Sequence, residues 1–377
     1  MFLALGALAV VAIPVWIGIS IHGVALWGDL PPQLWHSHEM LFGFAIAAIA
    51  GFLLTSVPNW TGTPGFSGRP LVLLTTLWLA ARVMLIFGPG NFWWMTAVIE
   101  LAFLPAVAGL LAPPLIRARN RNTVMLAVLC ALWLADVTFM LAVWAGNAQL
   151  AGRTVQAALN IVLLLITIIG GRIIPLFTAN ALKRSGQDVA VRVRPLLERS
   201  LAVVMIGNVL IDAVAPQEAL AILVAGVAAM LHAVRLAGWR SVRTGREPIV
   251  WSLHLAYAWL PAGFALKAWS LASAAPVAQF WSHAFAIGVV AMMVLAVTTR
   301  VALGHTGRPL RVTPSVAWAY GLLCSSAVVR VALPHAGVFD YATSLIVAAA
   351  LWTSAFLIFL VEYGRILSTP RIDDKPG

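Results

Sequence analysis

Charge is scarce in this chain. Only 10% of its 377 residues are Asp, Glu, Lys or Arg, where a soluble domain carries about 25%, and that shortage excludes an ordinary water-soluble globule. Acidic side chains are the rarer sign, with 13 Asp and Glu against 24 Lys and Arg. Two cysteines leave no disulfide framework and no Cys-x-x-Cys metal pair. Cys130 and Cys324 both sit in apolar runs, where a thiol behaves as a small hydrophobe. Also missing is any polar stretch long enough for a separate domain, so residues 1–377 are predicted to form a single transmembrane domain. Its tail, 366–377, is expected to be cytoplasmic and disordered. Along the chain no convincing internal repeat and no low-complexity segment is found. The first segment lacks the basic start of a secretory signal and is read as a retained helix.

What the chain does have is long apolar blocks. It is 62% hydrophobic, with a mean hydropathy of +0.95, and blocks of about twenty apolar residues match the thickness of a bilayer. The fold class is therefore all-α, a polytopic membrane bundle. Runs bounded by Pro, Gly or Arg predict about twelve helices near 2–21, 36–57, 70–87, 92–115, 123–145, 154–178, 197–214, 218–237, 249–271, 277–301, 312–333 and 338–364. Basic residues gather in alternate loops, among them Arg69, Arg117, Arg119, Arg121, Lys183, Arg184, Arg240, Arg243, Arg308 and Arg311. The opposite loops hold only Arg153. By the positive-inside rule both termini are cytoplasmic. The net charge of +11 is thus topology, and a nucleic-acid partner is excluded. The stretches "RVRPLLER" and "RLAGWRSVRTGREP" are placed to touch anionic lipid headgroups.

Histidine is the residue type out of place. The peptide "LWHSHEMLFGF", Leu34 to Phe44, sets His36, His38 and Glu39 at the mouth of the second apolar block. Intramembrane ionisable residues are functional candidates by default. On a helix His36 and His38 point about 200° apart, so each would serve a different partner. The side of His36 continues through Met40, Gly43, Ala47 and Gly51, small enough for close approach. The side of His38 continues through Phe42, Ala45, Ile49 and Phe52 and reads as ordinary packing or lipid contact. A zinc-protease motif is excluded, because Phe42 stands where HExxH needs its second histidine. Further along, His254 lies in "WSLHLAYAWLP", His283 in "FWSHAFAIGVV", and His305 in "GHTGR". His254 and His283 differ in predicted depth by about 15 Å, so the pair should not share one haem iron. An outer group of His36, His38 and His283, joined by His22 and His335, and an inner group of His254 and His305 suggest two sites. His232 is read as interfacial. Imidazole suits haem iron, copper and zinc alike. Near the inner group, Gly170, Gly171 and Pro175 are expected to loosen the helix around Arg172, whose guanidinium would either clamp a carboxylate such as a haem propionate or reach the headgroups. Glu100, Asp136 and Lys267 are membrane-embedded too. They form either a proton path or structural pairs, and Glu39 could orient a histidine.

Four strings, "WHSHEMLFGFAIAAIAGFLLTSVPNWTG", "GGRIIPLFT", "LHLAYAWLP" and "HAFAIGVVAMMVLAVTTRVALGHTGR", together resemble the NnrS family of bacterial membrane proteins, in the same order and over most of the chain. The resemblance implies a twelve-span protein of the bacterial inner membrane, linked to denitrification and to nitrosative stress, that contains haem b and copper and meets nitric oxide. It marks His36, His38, Glu39, Trp60, Arg172, His254, His283, His305 and Arg308 as motif positions. Of these, His36, His38, His254, His283, Arg172 and Trp60 are the expected cofactor-binding residues, and His36, His38, His254, His283 and His305 the expected metal ligands. Relatives usually open with a phenylalanine-arginine-proline stretch that is absent here, so the start is expected to be truncated. The motif around His283 also carries less glycine than usual, which puts close packing there in question. Whether nitric oxide is reduced, bound or sensed is left open by these motifs, and no docking site for an electron donor is readable. The competing readings are a secondary transporter with a helix broken at Gly170–Gly171 and an assembly factor for another membrane metalloenzyme.

Overall fold

A computed structural model describes residues 1–23, 31–88, 93–187, 189–216, 218–273, 280–335 and 338–372; the side chains of His22 and His335 lie outside that description. Helices make up nearly all of it, and no strand occurs among the described residues. In chain order they are α1 (Phe2–Ile21, running on to His22), α2 (Pro32–Thr61), α3 (Arg69–Phe87), α4 (Trp93–Arg117), α5 (Val124–Trp144) and α6 (Ala148–Arg184). They continue with α7 (Pro195–Val214), α8 (Ala219–Ala237), α9 (Pro248–Ser273), α10 (Trp281–His305), α11 (Pro314–Ala332) and α12 (Tyr341–Ser368). Proline sets several of the starts: α2, α7, α9 and α11 begin on one and α3 has one at its second residue. There the missing N–H removes a donor that would have no helical partner anyway.

Eleven of these helices are long and apolar enough to cross a membrane. The exception is α7, which carries Glu198, Arg199 and Asp212. The chain is a multi-pass membrane protein. Helix α6 is much longer than its apolar core suggested, and at about 1.5 Å per residue it outruns the bilayer. It also passes through Gly170, Gly171 and Pro175 without a break, so the loosened helix expected there is not found. At Gly171 a Cβ would lie 1.7 Å from Arg235 Nη2. The glycine gives the Arg235 guanidinium room within a continuous helix.

By its internal contacts the chain divides into two compact units. The first holds 1–161, 301–309 and 360–377; the second holds 162–300 and 310–359. Trp16, Ile19 and Trp35 form one apolar cluster of the first unit, and Leu85, Phe139 and Met140 another. In the second unit, α9 and α10 exchange glycines. A Cβ on Gly263 would stand 2.5 Å from Phe285 Cε1, and one on Gly288 would stand 2.4 Å from Trp259 Cγ. Each ring lies over the other helix's bare backbone, so close packing around the His283 motif is present with few glycines. Of the tail, α12 reaches Ser368, and the backbone N–H of Ile372 donates to the Thr306 carbonyl at 3.3 Å. Residues 373–377 of the expected disordered segment lie outside the described part.

Two helices are interrupted in the same way. In α2 the stretch Glu39–Ala45 is π-helical, and in α10 the stretch Ala284–Ala291 is. These are also the most enclosed spans, with 72% of the membrane window buried in each against 56% or less elsewhere. The histidines His38 and His283 are the last α-helical residues before the two π stretches. At one constant spacing along the chain, Ser37, His38, Gly43, Thr61, Gly62 and Pro64 recur as Ser282, His283, Gly288, Thr306, Gly307 and Pro309. Gly62 and Gly307 both take left-handed backbone, at φ 67° and 73°, which glycine adopts without steric cost. The chain therefore has an internal repeat, which the sequence reading did not find because six identities spread over two helices do not stand out without the matching backbone.

Candidate metal centre

Within the first unit, α2, α3, α4 and α5 bring five ionisable side chains together. His38 is 1% exposed, Glu39 0%, Arg82 2%, Glu100 4% and Asp136 3%. His38 Nε2 lies 3.1 Å from Asp136 Oδ1, and its Nδ1 lies 3.4 Å from Glu39 Oε1. Arg82 donates through Nη1 to Glu39 Oε1 at 2.9 Å and through Nη2 to Glu100 Oε2. Apolar rings close the site: Phe139 and Phe42 lie 4.6 and 5.0 Å from the His38 imidazole, centroid to centroid. Local structure fixes the approach of Arg82. At Gly43, inside the π stretch, a Cβ would stand 2.7 Å from Arg82 Nη1 and 3.2 Å from Glu39 Oε2, so glycine there lets the guanidinium pass. The Gly43 carbonyl also accepts from Trp78 Nε1 at 3.0 Å.

The charges do not balance. Three carboxylates face one arginine, so with a neutral imidazole the group carries two excess negative charges. Desolvating one such charge costs several kcal/mol. Protons or a bound cation must make up the difference. Three buried polar atoms around the group also lack a hydrogen-bond partner among the described residues: Glu39 Oε2, Arg82 Nε and Thr96 Oγ1, one turn before Glu100. One nitrogen of His38 and one oxygen each of Glu100 and Asp136 lie within 4.8 Å of one another. The 3.1 Å edge from His38 to Asp136 suits two neighbouring ligands of one ion, which stand about 3.0 Å apart at right angles with bonds of about 2.1 Å; the widest edge would have to close. One imidazole with two carboxylates suits zinc, manganese, iron or cupric copper, and not cuprous copper, which prefers sulfur.

The other expected site residues fall elsewhere. The ring of His36 stacks on Trp16, centroids 4.7 Å apart and planes 18° apart. It and His38 do face different neighbours, but the polar cluster is on the His38 side, which the sequence read as ordinary packing. The small-residue row on the His36 side receives Arg82 at Gly43 and the Phe2 ring at Gly51. Trp60 meets Phe52 edge-on at 6.1 Å. Arg371 donates to the His305 carbonyl at 2.8 Å, and Arg308 to Thr369 Oγ1 at 3.0 Å. In the second unit Arg172 is exposed, and His283 meets Phe280 edge-on at 6.1 Å.

His254 in that unit is held at both nitrogens. The Thr178 hydroxyl donates to the Ile174 carbonyl, so at 2.8 Å it accepts from His254 Nε2–H. That leaves Nδ1 as the acceptor from Ser241 Oγ at 2.9 Å. His232 is fully buried. The Tyr257 hydroxyl accepts from Arg235 Nη1 at 3.0 Å and so donates to His232 Nδ1 at 2.7 Å. Arg235 also makes a forked pair with Glu198. Lys267 donates to Asp212 Oδ2 at 2.5 Å and to Asn208 Oδ1 at 2.7 Å. Of the embedded groups considered from sequence, Lys267 is therefore structurally paired, while Glu100 and Asp136 join the histidine centre. Arg82, Asp212 and the Arg235–Glu198 pair were missed. The one available signal was an Arg or Asp falling in the turns of an otherwise apolar helix.

These features define a polytopic helical membrane protein with a buried histidine–carboxylate centre. Compared with known families, the chain matches the NnrS protein family over residues 1–371. It belongs to the NnrS family. None of the curated proteins matched it.

Proposed function

We propose that this chain is a metal-binding protein of the bacterial inner membrane that takes part in the response to nitric oxide, with both termini cytoplasmic. The observation that carries this reading is the charge imbalance at His38, Glu39, Arg82, Glu100 and Asp136, five buried groups of which three place ligand atoms within 4.8 Å of one another, so that a bound cation would neutralise them. His38, Glu100 and Asp136 would hold the ion, copper being the expected one in its cupric state, and Glu39 and Arg82 would orient them. When bound, such an ion supplies a Lewis-acidic, redox-active centre. The residues around it exclude water, and Phe42 and Phe139 give an apolar surround through which a small uncharged gas can reach the centre from the bilayer. Haem b, implied by family membership, would be held in the second unit by His283. His254 is less suited, because both of its nitrogens already have hydroxyl partners. The proposal makes no choice between reduction, binding and sensing of the gas.

The test is metal analysis and an optical spectrum of the detergent-purified chain beside His38→Ala and His283→Ala. The expected result is about one equivalent of a transition metal, lost in His38→Ala, and a Soret band lost only in His283→Ala. Absence of any bound metal after reconstitution would overturn the centre, and absence of a Soret band would overturn the haem.

A further inference from the structure

An arginine follows each copy of the internal repeat, at a spacing three residues longer than that of the repeat itself. Arg82 of α3 lies in Arg-Val-Met-Leu, and Arg330 of α11 lies in Arg-Val-Ala-Leu, each in the helix that follows a π-interrupted, histidine-bearing helix. Arg330 is also buried, at 6% exposed against 2% for Arg82. Its surroundings differ in one respect. Arg82 is neutralised by Glu39, the residue after His38, and by Glu100, two helices on from His38. The residue after His283 is Ala284, neither α10 nor α11 contains an acidic residue, and the only one in α12 is Glu362, near its far end. The nearby Asp340 caps α12 by accepting from Thr343 N at 2.7 Å and from Thr343 Oγ1 at 3.2 Å.

Among the described residues, then, no carboxylate pairs with Arg330. What it has is a hydrogen bond to the Tyr341 hydroxyl at 3.2 Å and two aromatic faces, Phe280 at 4.4 Å and Tyr341 at 5.3 Å from its Cζ. The contact with Phe280 is worth about 2 kcal/mol and that with the exposed Tyr341 about 0.5–1 kcal/mol, whereas at Arg82 two carboxylates neutralise the buried charge. Phe280 also touches the His283 ring, which puts the imidazole and the guanidinium against one aromatic side chain.

We infer that Arg330, with His283 beside it, binds a planar oxyanion in the place that Glu39 and Glu100 fill in the first copy of the repeat. The forked guanidinium matches a carboxylate, nitrite or nitrate, each of which offers two coplanar oxygens. The oxyanion is either a free anion or the acid arm of a larger cofactor; the second source rests on the haem proposed above, and the first does not.

The experiment uses the full chain in detergent, dialysed free of small anions, with calorimetric titration by formate and by nitrite and chloride as the control. A free-anion site gives saturable binding of formate or nitrite that is about 10- to 100-fold weaker in Arg330→Gln, the loss expected for a charged hydrogen-bonded pair. Arg330→Lys, which keeps the charge without the fork, falls between them. Ala284→Glu rebuilds the carboxylate of the first copy, so it abolishes titration while the melting temperature holds or rises; this variant keeps the inference testable if Arg330→Gln fails to fold. If the site holds a cofactor's acid arm, free anions do not titrate the purified protein, and Arg330→Gln and Ala284→Glu each lose a co-purified acidic cofactor that Arg82→Gln retains. Failure of the haem reading alone leaves the free-anion arm standing. The inference is overturned if no anion titrates and no acidic cofactor co-purifies, or if Arg330→Gln and Ala284→Glu bind as the wild type does.

Discussion

Replacing Arg82 with methionine tests the electrostatics of the histidine centre most directly. The guanidinium bridges Glu39 and Glu100, and none of the three is more than 4% exposed. Methionine fills much of the same space but leaves both carboxylates facing Asp136 without a counter-charge. Removing one partner of a buried ion pair costs about 3–5 kcal/mol. At about 2 °C per kcal/mol for a long chain, the melting temperature in detergent, followed by tryptophan fluorescence, should fall by about 6–10 °C. Charge can be separated from packing in two ways. Arg82→Met combined with Glu100→Gln removes one charge of each sign and should recover at least half of the loss. Saturating zinc, bound at about 100 times its dissociation constant, would add about 2.7 kcal/mol and should stabilise Arg82→Met more than the wild type, because the ion takes over the role of the guanidinium. A single variant that melts within about 2 °C of wild type, or a double variant no more stable than the single, would refute the reasoning.

Two further outcomes follow from other parts of the structure. Gly171→Ala places a methyl group 1.7 Å from Arg235 Nη2 and should push the guanidinium off Glu198 and the Thr167 carbonyl, costing about 1–3 kcal/mol from overpacking alone; an unchanged melting temperature would mean that Arg235 takes another path. At the start of α12, hydrogen bonds from Thr343 hold the Asp340 carboxyl below its ordinary value. Its stabilisation is therefore complete above the unfolded value of about 3.9 and fades as pH falls through the lowered folded one. The melting difference between wild type and Asp340→Ala should be constant near neutrality and shrink in that acid range, and a difference independent of pH would contradict the cap.

The membrane architecture was legible because it depends on composition. Apolar blocks, proline starts and glycine ends placed all twelve helices within a few residues, except at α6, where the polar turns flanking the apolar core stay helical. The histidine centre was legible only in part. His38 was chosen for its position and Glu39 as its companion, but ideal α-helical spacing assigned the His38 face to packing, and the π stretch that begins at Glu39 re-aims everything after it. Arg82 was invisible because one arginine in an apolar helix reads as a snorkelling side chain until the opposing carboxylates are seen. Two glycine readings also changed: Gly171 looked like a hinge and is a recess for Arg235, while the glycine-poor motif around His283 put close packing in question and its Gly288 lies beneath the Trp259 ring.

The exclusion of α7 from the apolar spans bears on how the protein is made. Asp212, buried near its end, is neutralised by Lys267 of α9, and Glu198 near its start by Arg235 of α8. At the centre of a helix such a group costs about 2.5–3.5 kcal/mol to insert alone; toward the ends, where these two lie, the cost is smaller but still opposes insertion of α7 by itself. A nascent chain halted before α9 emerges would have to leave α7 at the interface or outside the bilayer. Biogenesis should therefore release α7, α8 and α9 into lipid as one neutralised hairpin cluster rather than helix by helix.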